Sequence, residues 1–102
     1  MPILRHKFRA KPQELDGIKF ASKKEAKRYL ELKMLRTSGH VVFFLRQVPF
    51  HLQGGIKYVA DFLVFWENGE VTIEDVKGLK TPMYNTKKKQ VEAAYPITIT
   101  EV

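Results

Sequence analysis

The side chains with the types and spacing to do chemistry here are Asp61, Asp75 and Lys77. A carboxylate opens one apolar run and a carboxylate–lysine pair closes the next. The runs are Asp61-Phe62-Leu63-Val64-Phe65-Trp66 and Val71-Thr72-Ile73-Glu74-Asp75-Val76-Lys77, with Asn68-Gly69 between them. Two apolar runs around Asn-Gly predict a β-hairpin. Strand side chains alternate faces, so Asp75 and Lys77 share a face with Val71 and Ile73, and Glu74 points the other way. The place of Asp61 depends on the loop. A two-residue Asn68-Gly69 loop pairs Asp61 with Val76 and leaves Asp75 on the opposite face. A three-residue loop, Glu67-Asn68-Gly69, pairs Asp61 with Asp75, stacks Leu63 on Ile73 and Phe65 on Val71, and puts Gly69 where a positive φ is needed. We adopt the three-residue register.

Two carboxylates brought together repel, and apolar surroundings add a desolvation cost. A divalent cation removes both problems, and oxygen-only ligation suits Mg²⁺, with Mn²⁺ as a substitute. Lys77 beside them would orient a nucleophilic water or stabilise charge developing on a phosphorus centre. The competing reading is a surface hairpin carrying solvated charges. Against it, Tyr58-Val59-Ala60-Asp61-Phe62-Leu63-Val64-Phe65-Trp66 is apolar on both faces, the pattern of a buried central strand. His6, His40 and His51 are scattered without metal-ligand spacing, and no phosphate-cradling Gly-Lys loop supports ATP use.

The elements that must position these groups are legible on either side. Asp16-Gly17 marks a turn before a short strand, Ile18-Lys19-Phe20. Ser22 and Glu25 form a capping box that opens a helix to about Thr37, with Gly39 as its stop. Ala26, Tyr29, Leu30, Met34 and Leu35 give its apolar stripe. Val41 to Gln53 reads as strand, bent or placed at an edge by Pro49, and Gly54-Gly55 turns into the central strand. Phe43 and Phe44 read as core or dimer contacts. Thr81-Pro82 opens a second helix that stops near Ala94, before Pro96. Ile97 to Val102 alternates as a last strand. The order helix, three strands, helix, strand predicts an α/β (α+β) domain, a mixed sheet with a helix on each side and a parallel crossover at the end.

The chain of 102 residues has room for one domain, which we place at 15–102 behind a basic arm at 1–14. With 44% hydrophobic residues it can bury a core, and with no cysteine it has neither disulfides nor thiolate metal sites. No apolar run approaches the roughly 20 residues of a membrane span, and the N-terminus lacks a signal-peptide core, so a cytoplasmic protein is expected. The formal net charge of +7 favours a polyanionic partner, nucleic acid first. Arg5 and Arg9 on the arm, Lys24 on the first helix, and Lys80, Lys87 and Lys88 around the second are the candidate phosphate contacts. A plain terminus and a solvated lysine face are the alternatives for the arm and for the Lys87-Lys88-Lys89 triplet.

Asp61 followed after a turn by Asp75-Val76-Lys77 resembles the signature of the PD-(D/E)XK nucleases. With Asp16-Gly17-Ile18-Lys19-Phe20-Ala21-Ser22-Lys23-Lys24-Glu25-Ala26, Tyr58-Val59-Ala60-Asp61-Phe62 and Glu74-Asp75-Val76-Lys77-Gly78, the chain looks like a small phage-associated family of that superfamily. In size and order it is similar to Holliday junction resolvases of the archaeal type. The resemblance spans nearly the whole chain. Ala60 stands where the motif has proline, and Asp75 where glutamate is more frequent, one methylene shorter. The resemblance implies a restriction-endonuclease-like αβββαβ core and an Mg²⁺-dependent endodeoxyribonuclease leaving 5′-phosphate and 3′-hydroxyl ends. Asp61, Asp75, the Val76 carbonyl and Glu25 would serve the metal, and Lys77 the attacking water. For Glu25 the helix-cap and metal-site readings both stand. Branched DNA, a homodimer with one site per strand, and a bacterial host cytoplasm are also implied. The alternatives are a nuclease for nicked, flapped or duplex DNA, and a DNA-binding module without catalysis.

Overall fold

The computed structural model describes residues 13–76 and 80–102. Arg5, Arg9 and Lys77, and most of the basic arm, lie outside the described residues. The described chain opens with a hairpin of β1 (Gln13–Leu15) and β2 (Ile18–Phe20). Asp16 and Gly17 form its loop, both at positive φ, the geometry of a type I′ turn. Then follow α1 (Lys23–Thr37), β3 (Val41–His51), a 3₁₀ turn at Gln53–Gly55, β4 (Lys57–Trp66), β5 (Val71–Asp75), α2 (Pro82–Ala94) and β6 (Ile99–Glu101). The main sheet has the order β3-β4-β5-β6, antiparallel except for the parallel β5–β6 pair. The fold is mixed α/β, compatible with the expected αβββαβ core.

Both helices start where their caps predict. The Ser22 hydroxyl accepts from the Glu25 amide at 3.2 Å, and the Thr81 hydroxyl from the Tyr84 amide at 3.1 Å with Pro82 behind it. The β4–β5 hairpin takes the three-residue register. Leu63 pairs with Ile73 and Phe65 with Val71, and Gly69 sits at φ 92. The Trp66 indole donates to the Thr72 hydroxyl at 2.8 Å and locks the turn end. Pro49 lies within continuous strand, and β3 is an edge of the sheet, where a missing N–H is harmless.

The helices cover opposite faces of β5. On the α1 side, Phe20, Ala26, Tyr29, Leu32, Val41, Phe62 and Val64 form one core. On the α2 side, Tyr58, Ala60, Ile73, Tyr84, Val91 and Ile99 form a second. Strand β4 supplies both: Tyr58 and Ala60 belong to the second core, Phe62 and Val64 to the first. The handover between cores falls across Asp61.

Three expectations change. The α1 stripe turns: Leu30 and Met34 are 48% and 65% exposed, while Leu32 is fully buried, because the face meeting the sheet is Glu25, Ala26, Tyr29 and Leu32. Strand β4 is central but not covered on both faces. Val59, near the start of β4, and Phe65, near its turn into β5, are both exposed. Phe43, Leu45 and Val71 are exposed with them. The last strand is Ile99–Glu101 rather than 97–102, since the Ile97 amide bonds the Tyr95 carbonyl. No helix among the described residues is long and apolar enough to cross a membrane.

Candidate functional site

A polar row crosses the sheet, one residue from each strand. Gln47 and Asp61 stand opposite each other between the pairs Arg46–Phe62 and Val48–Ala60. Asp61 and Asp75 come one step beyond the pair Phe62–Glu74. Asp75 pairs in parallel with Glu101. Every other described position flanking the row on β4 and β5 is apolar except Glu74, which faces α1.

The β4–β5 ladder ends at this row, where a side chain takes over, while β3–β4 pairing continues beyond it. The Val76 amide donates to Asp61 Oδ2 at 2.8 Å, so Asp61 is fastened to the residue directly after Asp75. Asp75 has 0% exposure. Behind it, Glu74 is clamped by Arg28 of α1: Nε reaches Oε1 at 2.8 Å and Nη2 reaches Oε2 at 2.6 Å. Glu74 holds the Arg28 guanidinium above its ordinary pKa. The clamp fixes the end of β5 to α1, and alternation then turns Asp75 to the α2 side.

Glu25 approaches from the N-terminus of α1. It is buried, and its Oε2 accepts from Gln47 Nε2 at 3.4 Å and lies 3.5 Å from Arg46 Nη2. Gln47 Nε2 also stands 3.5 Å from Asp61 Oδ1, so Glu25 meets the row through Gln47. Gln47 holds φ 52 in mid-strand, a conformation costing a non-glycine residue about 1–2 kcal/mol. Backbone strain of this kind collects at functional sites.

At the other end Glu101 gathers three partners. Lys80 Nζ lies at 2.7 Å, the Tyr84 hydroxyl donates at 3.0 Å, and Lys88 Nζ lies at 3.4 Å. Lys80 and then Tyr84 hold the Glu101 carboxyl down at about 2. Burial, then the Glu101 and Asp75 carboxylates, push the Tyr84 hydroxyl well above its ordinary pKa. Of the expected phosphate contacts, Lys80 and Lys88 therefore carry an internal carboxylate, Lys24 is exposed on α1, and Lys87 is half-buried on α2.

The donor set is all oxygen, which fits a hard cation. Among the described residues no three His, Cys, Asp or Glu side chains gather closely enough to hold a metal by themselves. A pair of carboxylates still fits Mg²⁺, which is commonly held by one or two carboxylates, with water and substrate phosphate filling the rest. Asp61, Asp75 and the Val76 carbonyl are the groups that would hold it. Sequence reading missed Gln47, Tyr84 and Glu101. The sequence carries a signal for Glu101 alone, the polar residue that ends the last strand; Gln47 lies inside a strand and Tyr84 on a helix.

The class defined by fold and site is a mixed α/β domain with an acidic row set across its sheet between two helices. Residues 5–100 match the model of a family described as "Protein of unknown function (DUF1064)", and the chain belongs to that family. No curated protein and no solved structure matches it.

Proposed function

We propose that the chain is an Mg²⁺-dependent, structure-specific DNA endonuclease of the PD-(D/E)XK type, with a four-way Holliday junction as its substrate. The observation that carries this reading is the Asp61–Asp75 register, closed by the bond from the Val76 amide to Asp61. The hairpin thereby sets the two carboxylates one step beyond its last pair, Phe62–Glu74. A net charge of +7 supports a nucleic-acid partner.

In this reading a bound cation supplies charge neutralisation at the phosphate and a lowered pKa for water. Asp61 and Asp75 hold that cation, and Glu25 steadies Asp61 through Gln47. Lys77, which follows Val76 in sequence, positions the attacking water. The water oxygen bonds to phosphorus and the bond to the 3′ oxygen breaks. The 3′ oxygen leaves with a proton as a hydroxyl, and the phosphate stays on the 5′ end. A two-fold dimer would present one site to each of two strands.

The test is cleavage of a labelled four-way junction in Mg²⁺ by the wild type and by Asp75→Ala, with binding followed in EDTA. Paired symmetrical cuts that vanish in the variant while binding survives are expected. Equal cutting of linear duplex would replace junction resolution by a nuclease of broader choice. A second reading, a DNA-binding module without catalysis, is favoured because no three His, Cys, Asp or Glu side chains among the described residues gather closely enough to hold a metal. It predicts salt-sensitive binding with no cutting in Mg²⁺ or Mn²⁺.

A further inference from the structure

The hydroxyl of Tyr84 has no packing role of its own. Its ring lies in the α2-side core with its centroid 6.4 Å from that of Tyr58, a place a phenylalanine would fill. Its backbone is fixed by the cap, since its amide bonds the Thr81 hydroxyl. A buried hydroxyl is costly unless it is hydrogen-bonded. Tyr84 is 8% exposed, and the groups around its oxygen are two carboxylates, Glu101 at 3.0 Å and Asp75.

A tyrosine has one proton to donate, so Asp75 and Glu101 compete for it. The competition is unequal. Glu101 already has Lys80 and Lys88. It stays satisfied when the hydroxyl turns away. The parallel register sets Glu101 beside Asp75, so the turn is a rotation about the C–O bond and needs no movement of the chain.

We infer that Tyr84 is a positioning residue for the metal site. Its hydroxyl donates to Asp75 and fixes which carboxylate oxygen is presented to the cation, while Glu101, saturated by Lys80 and Lys88, releases the proton for that purpose. The inference rests on the reading of Asp75 as a metal ligand. Groups that hydrogen-bond to a ligating carboxylate set its orientation, and their loss typically weakens metal affinity about 10–100-fold.

The experiment is Mn²⁺ binding to the full chain, read as free Mn²⁺ by electron paramagnetic resonance, for the wild type, Tyr84→Phe and Tyr95→Phe. Tyr95 is the control, because its hydroxyl donates at 2.7 Å to the His51 carbonyl, away from the row. Tyr84→Phe is expected to bind Mn²⁺ about tenfold more weakly, with Tyr95→Phe within twofold of wild type and all three folded by circular dichroism. Wild-type affinity in Tyr84→Phe, or an equal loss in both variants, overturns the inference alone. A wild type that neither binds Mn²⁺ nor cuts DNA overturns the nuclease reading and the inference with it.

Discussion

Replacing Arg28 by methionine removes the charge and keeps most of the length. Glu74 then remains at 2% exposure with no guanidinium against either oxygen. Breaking a buried pair from one side costs about 3–5 kcal/mol, since a carboxylate is stranded away from water. Arg28 is itself 20% exposed, so water can re-enter on its side and the lower end, about 3 kcal/mol, applies. Its second bridge, to Glu31 at 3.2 Å, is partly exposed and adds less than about 1 kcal/mol. In a domain of this size 1 kcal/mol moves Tm by about 4–8 °C, so a fall of about 12 °C or more is expected. Thermal and urea unfolding followed by circular dichroism would measure it. The double variant Arg28→Met, Glu74→Leu should regain most of the loss, because apolar pairs replace buried ion pairs at little cost. A single variant losing under about 1 kcal/mol, or a double variant no better than the single, would refute the idea of a buried clamp behind Asp75.

Leu32→Ala should cost about 2–5 kcal/mol and Leu30→Ala less than about 0.5 kcal/mol, a contrast on one helix that a pair of urea titrations checks. Gln47→Gly should raise stability by about 0.5–1 kcal/mol, the relief of a left-handed residue less the flexibility of glycine, and should weaken Mn²⁺ binding by removing the bridge from Glu25 to Asp61. A fall in both would mean that the bridge, not the strain, dominates the fold. Glu101, ordinarily near 4.5 and held at about 2, favours the charged form in the native state. Its contribution is full above pH 4.5 and is lost as pH falls toward 2. Tm measured across that window should fall more steeply for the wild type than for Glu101→Gln.

The legible parts of the fold were those that local chemistry decides. A glycine at the third loop position chose the hairpin register, which sets Asp61 and Asp75 one step beyond the pair Phe62–Glu74. Ser22 and Thr81-Pro82 set the helix starts. The rest needed tertiary information. The periodicity of α1 allows two overlapping stripes, and only the sheet beneath selects Leu32 over Leu30 and Met34. Gln47 meets Asp61 through a pairing set by a 3₁₀ turn that the sequence marks only as Gly54-Gly55. Glu101 reaches Asp75 through a parallel register, which no turn encodes. For the same reason Lys80 and Lys88 read as free phosphate contacts, although they meet an acid from the far end of the chain.

The two halves of the polar row are joined to Asp75 by very different lengths of chain. Asp61 arrives through a hairpin, whereas Glu101 arrives through a helical crossover, since a parallel pair cannot be closed by a tight turn. A pairing closed over a longer loop costs more chain entropy. β6 is three residues long and bonded along one side among the described residues, while β4 is paired on both. A unit of that kind detaches below the free energy of global unfolding. Amide hydrogens of β6 should exchange faster than those of β4, and each such event uncovers Asp75 while the β3–β4–β5 meander that carries it stays folded.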